Sequence, residues 1–438
     1  MKVKIMRAPL ILLVLLLIFV FTACGNDAQT GTNEEEQVTR DLYGDSSGVT
    51  LKLTFSGEEF AKDPMGKILT EFFDETGIST EVLYVPSQGG WAGYFSKIQT
   101  MVAAGDTPDL IRIAIEGFRI FQDAGMIVPY NEFLEKYPEK QAIIDEQHPN
   151  LMAPFIIDDK IYGITFDWNN VVTHINTNIL EERGLQMPPE NWDLDTFLDY
   201  AKKMSFTRDD GTQVYGYAIP DYYFAASAWF FNNGGSILNE DWTKCTLDTP
   251  EVIEVVQFWQ DSIYVHKVAP QPPFDAGIAF QNDQVAMHFA GRWPLKGYNE
   301  SEFDAVDIQY IPTMKTNQVI FGGGIFPILK DSKHQEEAFL LACKLGSKEA
   351  QAAILELSHI PSNVQVLDEV ISKATFPKNS IIYKDSADKA RAVESPAQYG
   401  DIQGVFDRYL SLVLANESDA ETAMKSAAEE INAILEYD

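Results

Sequence analysis

The sequence predicts an α/β protein built from more than one lobe, and three observations carry that expectation. Its 438 residues exceed what one ordinary core organises, so two or three lobes are expected. Hydrophobic residues make up 45% and aromatics 12%, a globular rather than a disordered composition. From Val49 onward, short runs suited to strands alternate with amphipathic runs of helical spacing, the pattern of mainly parallel sheets.

Each element follows from local chemistry. "VTLKLTF" (49–55) alternates with period two and reads as a strand. "GKILTEFFDETG" (66–77) puts Ile68, Leu69, Phe72 and Phe73 on one helical face and stops at Gly77. "STEVLYVP" is the next strand, and "YFSKIQTMVAAGDTPDLIRIAI" (94–115) is a helix broken by Gly105 and Pro108 that leads into a third. "ITFDWNNVVTHIN" (164–176) is an unusually long extended run between helices. "TPEVIEVVQFWQ" (249–260) starts a helix with Thr249 as N-cap and Pro250 at its first position. "DSKHQEEAFLLACKLG" (331–346) and "SDAETAMKSAAEEINAIL" (418–435) open with capping-box spacing, Ser332 with Gln335 and Ser418 with Glu421. "DDKIYGI" (158–164) and "RDDGTQVYGYAI" (208–219) read as hairpins.

The N-terminus reads as an export signal. Lys2, Lys4 and Arg7 precede the apolar run "LILLVLLLIFVF" (10–21), which is of signal-peptide length and short for a membrane span. "FTAC" follows, and it resembles a bacterial lipobox whose Cys24 takes lipid on sulfur and becomes the mature N-terminus. Phe21 departs from the usual leucine there; an uncleaved anchor and an ordinary secretory signal are the alternatives. Residues 1–23 are thus expected to be a leader and 24–47 a polar, solvated leash, with a coil reach on the order of 25–30 Å. Several acyl chains on one cysteine exceed the marginal membrane binding of a single chain, so tethering is expected through lipid alone. Of the remaining cysteines, Cys245 and Cys343 are far apart in sequence and are expected to be buried thiols rather than a disulfide.

A formal charge of −32 argues against nucleic acid and against a basic membrane-binding patch. His148, His174, His266, His288, His334 and His359 are scattered without metal-ligand spacing, so neither metal nor cofactor is expected.

Six landmarks in order then carry a resemblance. "AAGDTPDLIRI", "DDKIYGITFDWNNVVTHINTNILEERGLQMPPENWDLDTFLDYAKKM", "NNGGSI", "NDQVAMHFAGRW", "FGGGIFPI" and "HIPSN" resemble, in sequence and spacing, the carbohydrate-type extracellular solute-binding proteins of bacterial ABC importers. The match spans roughly residues 49–435; Thr173-His174 departs where an aromatic often precedes the landmark Asn176. The resemblance implies a two-lobed periplasmic-binding-protein-like fold of the class II type, with hinge strands and a ligand cleft between lobes. Lobe one would comprise 48–168 and 313–365, and lobe two 169–312 and 366–438. It implies a monomeric, extracytoplasmic, lipid-anchored binding protein, not an enzyme, that delivers a sugar or oligosaccharide to permease subunits. A lipoprotein that reports to a receptor has the same fold and cleft, and a glycoside hydrolase is the remaining alternative, needing two carboxylates across the cleft.

In open α/β sheets the ligand crevice lies beyond the carboxyl ends of strands. A sugar offers apolar C–H faces to a flat ring, and hydroxyls to guanidinium, carboxylate and amide groups. Arg292 and Trp293 follow the strand-like "VAMHFA", and Asp167 and Trp168 form a second such pair. Trp229 before "FFNNGG", with Asn233, is a third, and Trp91 after "VPSQGG" a fourth. Glu116 follows "DLIRIAI", and Ser56, Glu58 and Glu59 follow the first strand. Gly323, in the run Gly322 to Gly324, is expected to let backbone approach the ligand closely. Trp192 and Trp259 sit at helix spacing and read as packing.

Overall fold

Leu51, Leu53 and Phe55 on alternate positions of the strand Thr50–Ser56 are fully buried, as the period-two pattern requires. In the computed structural model, which describes residues 38–45, 47–56, 63–86, 90–354 and 359–436, this strand lies inside a six-stranded mixed sheet. It runs parallel to Ser79–Val85 on one side and to Leu110–Ile111 on the other. The helix Asp63–Thr76 makes the crossover between the first two, burying Ile68, Leu69 and Phe72. Ile328–Leu329 pairs antiparallel with Leu110 and with Ile127–Val128, so a much later part of the chain completes the sheet.

The other edge carries a correction. The leash expected to run to residue 47 ends sooner, because Thr39–Tyr43 forms an antiparallel edge strand on Ser79–Val85. A short polar strand can hold a sheet edge without a buried second face, and Leu42 there is 51% exposed. Gly44 closes this strand at φ 103°, with the Phe73 ring where a Cβ would stand, so only glycine fits the turn. The leader, Cys24, Glu58 and Glu59 lie outside the described residues.

The long extended run at 164–176 is two strands in different sheets. Thr165–Asn169 pairs with the glycine-rich Val319–Ile325, setting Asp167 opposite Gly324 and Trp168 opposite Gly323. Val172–Asn176 is instead the centre of a three-stranded antiparallel sheet, between Met287–Ala290 and Val306–Gln309. Ile360–Pro361, Ile113–Ala114 and Ala390–Ala392 join the first of these pairings, making an intermediate sheet of five strands drawn from distant parts of the chain. The fold is the two-lobed α/β arrangement, with the six-stranded sheet in one lobe, the three-stranded sheet in the other and crossing strands between.

Separate cores serve the two ends. One gathers Leu53, Phe55, Phe72, Phe326 and Phe339 around the six-stranded sheet. The larger one gathers Phe197, Trp229, Trp259, Phe289 and Phe406. Trp259 in the helix Pro250–Tyr264 is fully buried, and so is Trp192, which stands before the helix Leu194–Lys203 rather than in it. Cys245 and Cys343 are buried free thiols.

Helix ends differ from expectation in small ways. Ser332 does not cap its helix, since its hydroxyl donates to Asp109 Oδ1 at 2.6 Å and the helix begins at Gln335. Asp419, rather than Ser418, caps the last helix, Ala420–Leu435, by accepting from Thr422 N at 2.9 Å. Thr249 makes no side-chain cap, although Pro250 does stand at the helix start. Both hairpins form: the turn of the first, Asp158-Asp159, has φ of 50° and 61°, the left-handed pair that a tight hairpin needs.

Candidate functional site

A cleft of about 480 Å³ lies where the crossing strands meet the two lobes. Its floor is a buried ionic cluster. Arg112, between the strands Leu110–Ile111 and Ile113–Ala114, donates from Nη2 to Asp167 Oδ2 at 2.7 Å, and the two side chains are 6% and 3% exposed. His359 Nδ1 contacts the same oxygen. Burial alone would raise the Asp167 carboxyl, but Arg112 and His359 together outweigh it and hold it well below the usual carboxylate range. Burial depresses the imidazole of His359, against the pull of Asp167. Neutral His359 therefore serves Asp167 with the proton on Nδ1, because an ionised carboxylate can only accept.

The glycine run facing this cluster has a steric cause. A Cβ on Gly324 would stand 2.5 Å from Asp167 Oδ1, and one on Gly322 would meet the Phe224 ring at 2.8 Å. At Gly323 the obstacles are the Phe321 ring and the Asp167 carbonyl. The glycines therefore admit the protein's own groups at the cleft wall, in addition to the ligand approach expected for Gly323.

Glu116 enters from the first turn of the helix Ile115–Asp123 and is buried against the cleft. Its Oε2 meets no hydrogen-bond partner among the described residues. Desolvation pushes the carboxyl up to about 7, only partly offset by its own backbone and by Arg112.

Aromatic rings form the walls. Trp91, half-buried, stacks on Phe95 at 5.6 Å, and the Arg112 guanidinium sits 5.5 Å from its ring centroid. Trp293, 37% exposed, lines the same cleft and packs near Phe224 at 6.3 Å. Its ring lies over Gly291, where a Cβ would come within 2.2 Å of it. Tyr222 and Tyr223 add two more rings, anchored by hydroxyls that donate to the carbonyls of Phe289 at 3.2 Å and Glu394 at 3.0 Å.

Of the residues singled out from sequence, Trp91, Glu116, Asp167, Trp168, Trp293 and Gly323 line one cavity. Trp168 is a fully buried part of that wall, its Nε1 donating to the Pro361 carbonyl at 3.2 Å. Trp229 is corrected: it is fully buried in the helix Tyr223–Asn232, packed against Phe197, Phe258 and Phe289. Asn233 is corrected with it, since it ends that helix and its amide donates to Glu251 O at 2.6 Å and Glu254 Oε2 at 3.0 Å. "NNGG" is thus a helix terminus rather than a strand end, with Gly234 at φ 80°. Arg292 lies behind the floor, its Nη1 donating to the His359 carbonyl at 3.0 Å and its backbone N–H to Asn169 Oδ1 at 3.0 Å. Ser56 is half-buried at its strand end and does not line the cavity.

Sequence reading missed Arg112, Tyr222, Tyr223, Phe224, Tyr399 and Gln403. The run "DYYF" at 221–224, three aromatics after Pro220, was a visible signal.

Comparison with known proteins agrees with this geometry. A model of the family described as bacterial extracellular solute-binding protein matches residues 67–380. The maltotriose-binding protein of Pyrococcus abyssi (strain GE5 / Orsay) is 23% identical over 359 residues, covering 77% of this chain and 72% of that protein. The arabinooligosaccharide-binding protein of Halalkalibacterium halodurans is 25% identical over 291 residues, 60% of each chain. Among solved structures, an ABC substrate-binding protein from Listeria monocytogenes in complex with cycloalternan matches with a TM-score of 0.80. It is 24% identical, over 89% of this chain and all of that one. Maltose-bound MalE3 of T. maritima matches with a TM-score of 0.73 at 21% identity, over 88% of this chain. With its crossing strands, its cleft and a family match over most of its length, this chain belongs to the bacterial extracellular solute-binding proteins.

Proposed function

We propose that this protein captures a sugar or oligosaccharide between its lobes and hands it to the permease of an ABC importer, without chemically altering it. One observation carries the reading: a cleft with indoles at Trp91 and Trp293 on its walls and a pre-paired ionic floor. Rings suit the apolar faces of a sugar, and fixed polar groups suit its hydroxyls. In this reading Trp293 and Trp91 stack on the ligand, Glu116 and Asp167 accept from hydroxyls, and Trp168 and Gly323 shape the wall. The lobes divide as 48–168 with 313–365 and 169–312 with 366–438, so closure bends the crossing strands. Names of relatives point the same way, since two bind maltotriose and arabinooligosaccharides.

The protein works outside the cytoplasm, tethered by lipid on Cys24 and a short polar leash. Cys24→Ala should move it out of the membrane fraction; unchanged fractionation would refute the anchor. Calorimetric titration of the chain from residue 38 onward, against mono- and oligosaccharides, tests the main reading. Binding with recovery of the intact sugar is expected, whereas turnover of the sugar would sink it.

A further inference from the structure

We propose that the ligand is a neutral oligosaccharide long enough to pass Trp293, with further sugar units held in a second chamber on the far side of Trp293 and Tyr222. This rests on the carbohydrate reading above and names the ligand's length and charge.

The second chamber measures about 730 Å³ and shares Tyr222 and Trp293 with the cleft of about 480 Å³. The two spaces therefore adjoin at this pair of rings. Small-molecule sites typically span about 300–1,000 Å³, so either compartment alone suffices for a small sugar and the pair is in excess of it. Among the described residues, Tyr222 and Trp293, each 37% exposed, are the only aromatic side chains left exposed. Exposed rings cost free energy in water unless something covers them, and both of these line the two spaces at once.

The walls of the second chamber select for neutral, hydroxyl-bearing matter. Asp221 and Asp275 supply carboxylates, and no lysine or arginine lines it. An anionic sugar would meet repulsion there. Asp275 is spent as a helix N-cap, accepting from Ile278 N at 2.9 Å. Asp221, its carboxyl raised by burial and only partly offset by its own backbone N–H, lines the chamber as an acceptor for hydroxyls. His288, hydrogen-bonded to the Tyr298 hydroxyl at 2.7 Å, is held neutral by burial, so it brings no positive charge.

Gly297 allows the chamber to be filled selectively. It is an exposed position in the helix Leu295–Glu300 that lines this space, and a Cβ added there meets no atom within 4 Å. The test titrates wild type and Gly297→Trp with maltooligosaccharides and arabinooligosaccharides of about one to six units. Wild-type affinity should rise at least tenfold between the disaccharide and longer members of the ladder that binds. Gly297→Trp should remove that rise and leave disaccharide affinity within twofold. A wild-type ladder flat beyond the disaccharide overturns the proposal, whether or not the variant folds. So does a variant that weakens short and long sugars equally. Wild type that binds no member of either ladder overturns the carbohydrate reading itself, a different result from a flat ladder.

Discussion

The floor and the rim of the cleft solve opposite problems. The floor holds Arg112, Asp167 and His359 away from water, each charge already matched by another group of the protein. The rim leaves Trp293 and Tyr222 partly in water. A buried pair is costly to assemble and more costly to break, whereas an exposed ring loses little until a ligand covers it. The difference implies that changes in the floor register mainly in folding stability, even though Asp167 also faces the ligand, while changes in the rim register mainly in affinity. Substitutions in the two regions should separate along those lines.

The largest effect belongs to the floor. Asp167→Ala leaves the Arg112 guanidinium buried without its carboxylate, and should cost about 3–5 kcal/mol of folding stability by urea denaturation. Replacing both partners, Arg112→Met with Asp167→Leu, should cost less than the single change, because no uncompensated charge remains. A double variant as unstable as the single one would mean that packing, rather than charge, holds the floor.

Glu116 sits between the two regions and sharpens the comparison through pH. Its folded carboxyl lies near 7 against an unfolded value of about 4.3. The native state therefore binds the proton more tightly, and stability falls as pH rises from about 4.5 to 7, with the full deficit above 7. Glu116→Gln keeps the shape and removes the titration. At pH 8 it should be more stable than wild type by about 2–3 kcal/mol, and at pH 4 nearly equal. Glu394 is also raised to about 7 by burial and contributes the same fall to both proteins, so the difference isolates Glu116. Equal stability curves across pH 4–8 would show that Glu116 is ionised without penalty.

How far the sequence revealed these regions depends on whether the signal is local. Trp293 was legible because it follows an extended run, and the crevice of an α/β fold lies at such ends, whereas Asp167 reaches the cleft from the middle of the strand Thr165–Asn169. Trp229 misled because "YFAASAWFFN" is apolar on every side, the pattern of a buried helix rather than of a strand. Arg112 was passed over inside "DLIRIAI", since a lone cation in an apolar run makes sense only with its partner, which lies 55 residues away in sequence. Arg292 was placed near the cleft by its neighbour Trp293, but adjacent residues of an extended turn point apart, and its guanidinium turns to the His359 carbonyl. The edge strand Thr39–Tyr43 carries no hydrophobic alternation, so nothing local separated it from the leash.

The smallest expected effect is the most discriminating for the rim. Trp293 is 37% exposed and Trp229 is fully buried, so the same substitution at each should register in different measurements. Trp229→Ala opens a cavity among Phe197, Phe258 and Phe289 and should cost about 3–5 kcal/mol of stability, with the affinity of the folded fraction nearly unchanged. Trp293→Ala should lose under about 1 kcal/mol of stability, because its ring already faces water over part of its surface. Its loss should instead appear in binding, at about 1–2 kcal/mol for an aromatic contact desolvated by the ligand. That corresponds to a roughly 5- to 30-fold weaker dissociation constant. Calorimetric titration and urea denaturation of the two variants together check the assignment. If Trp293→Ala keeps wild-type affinity but unfolds as readily as Trp229→Ala, the ring is part of the lobe core and the distinction between floor and rim fails at its most exposed residue.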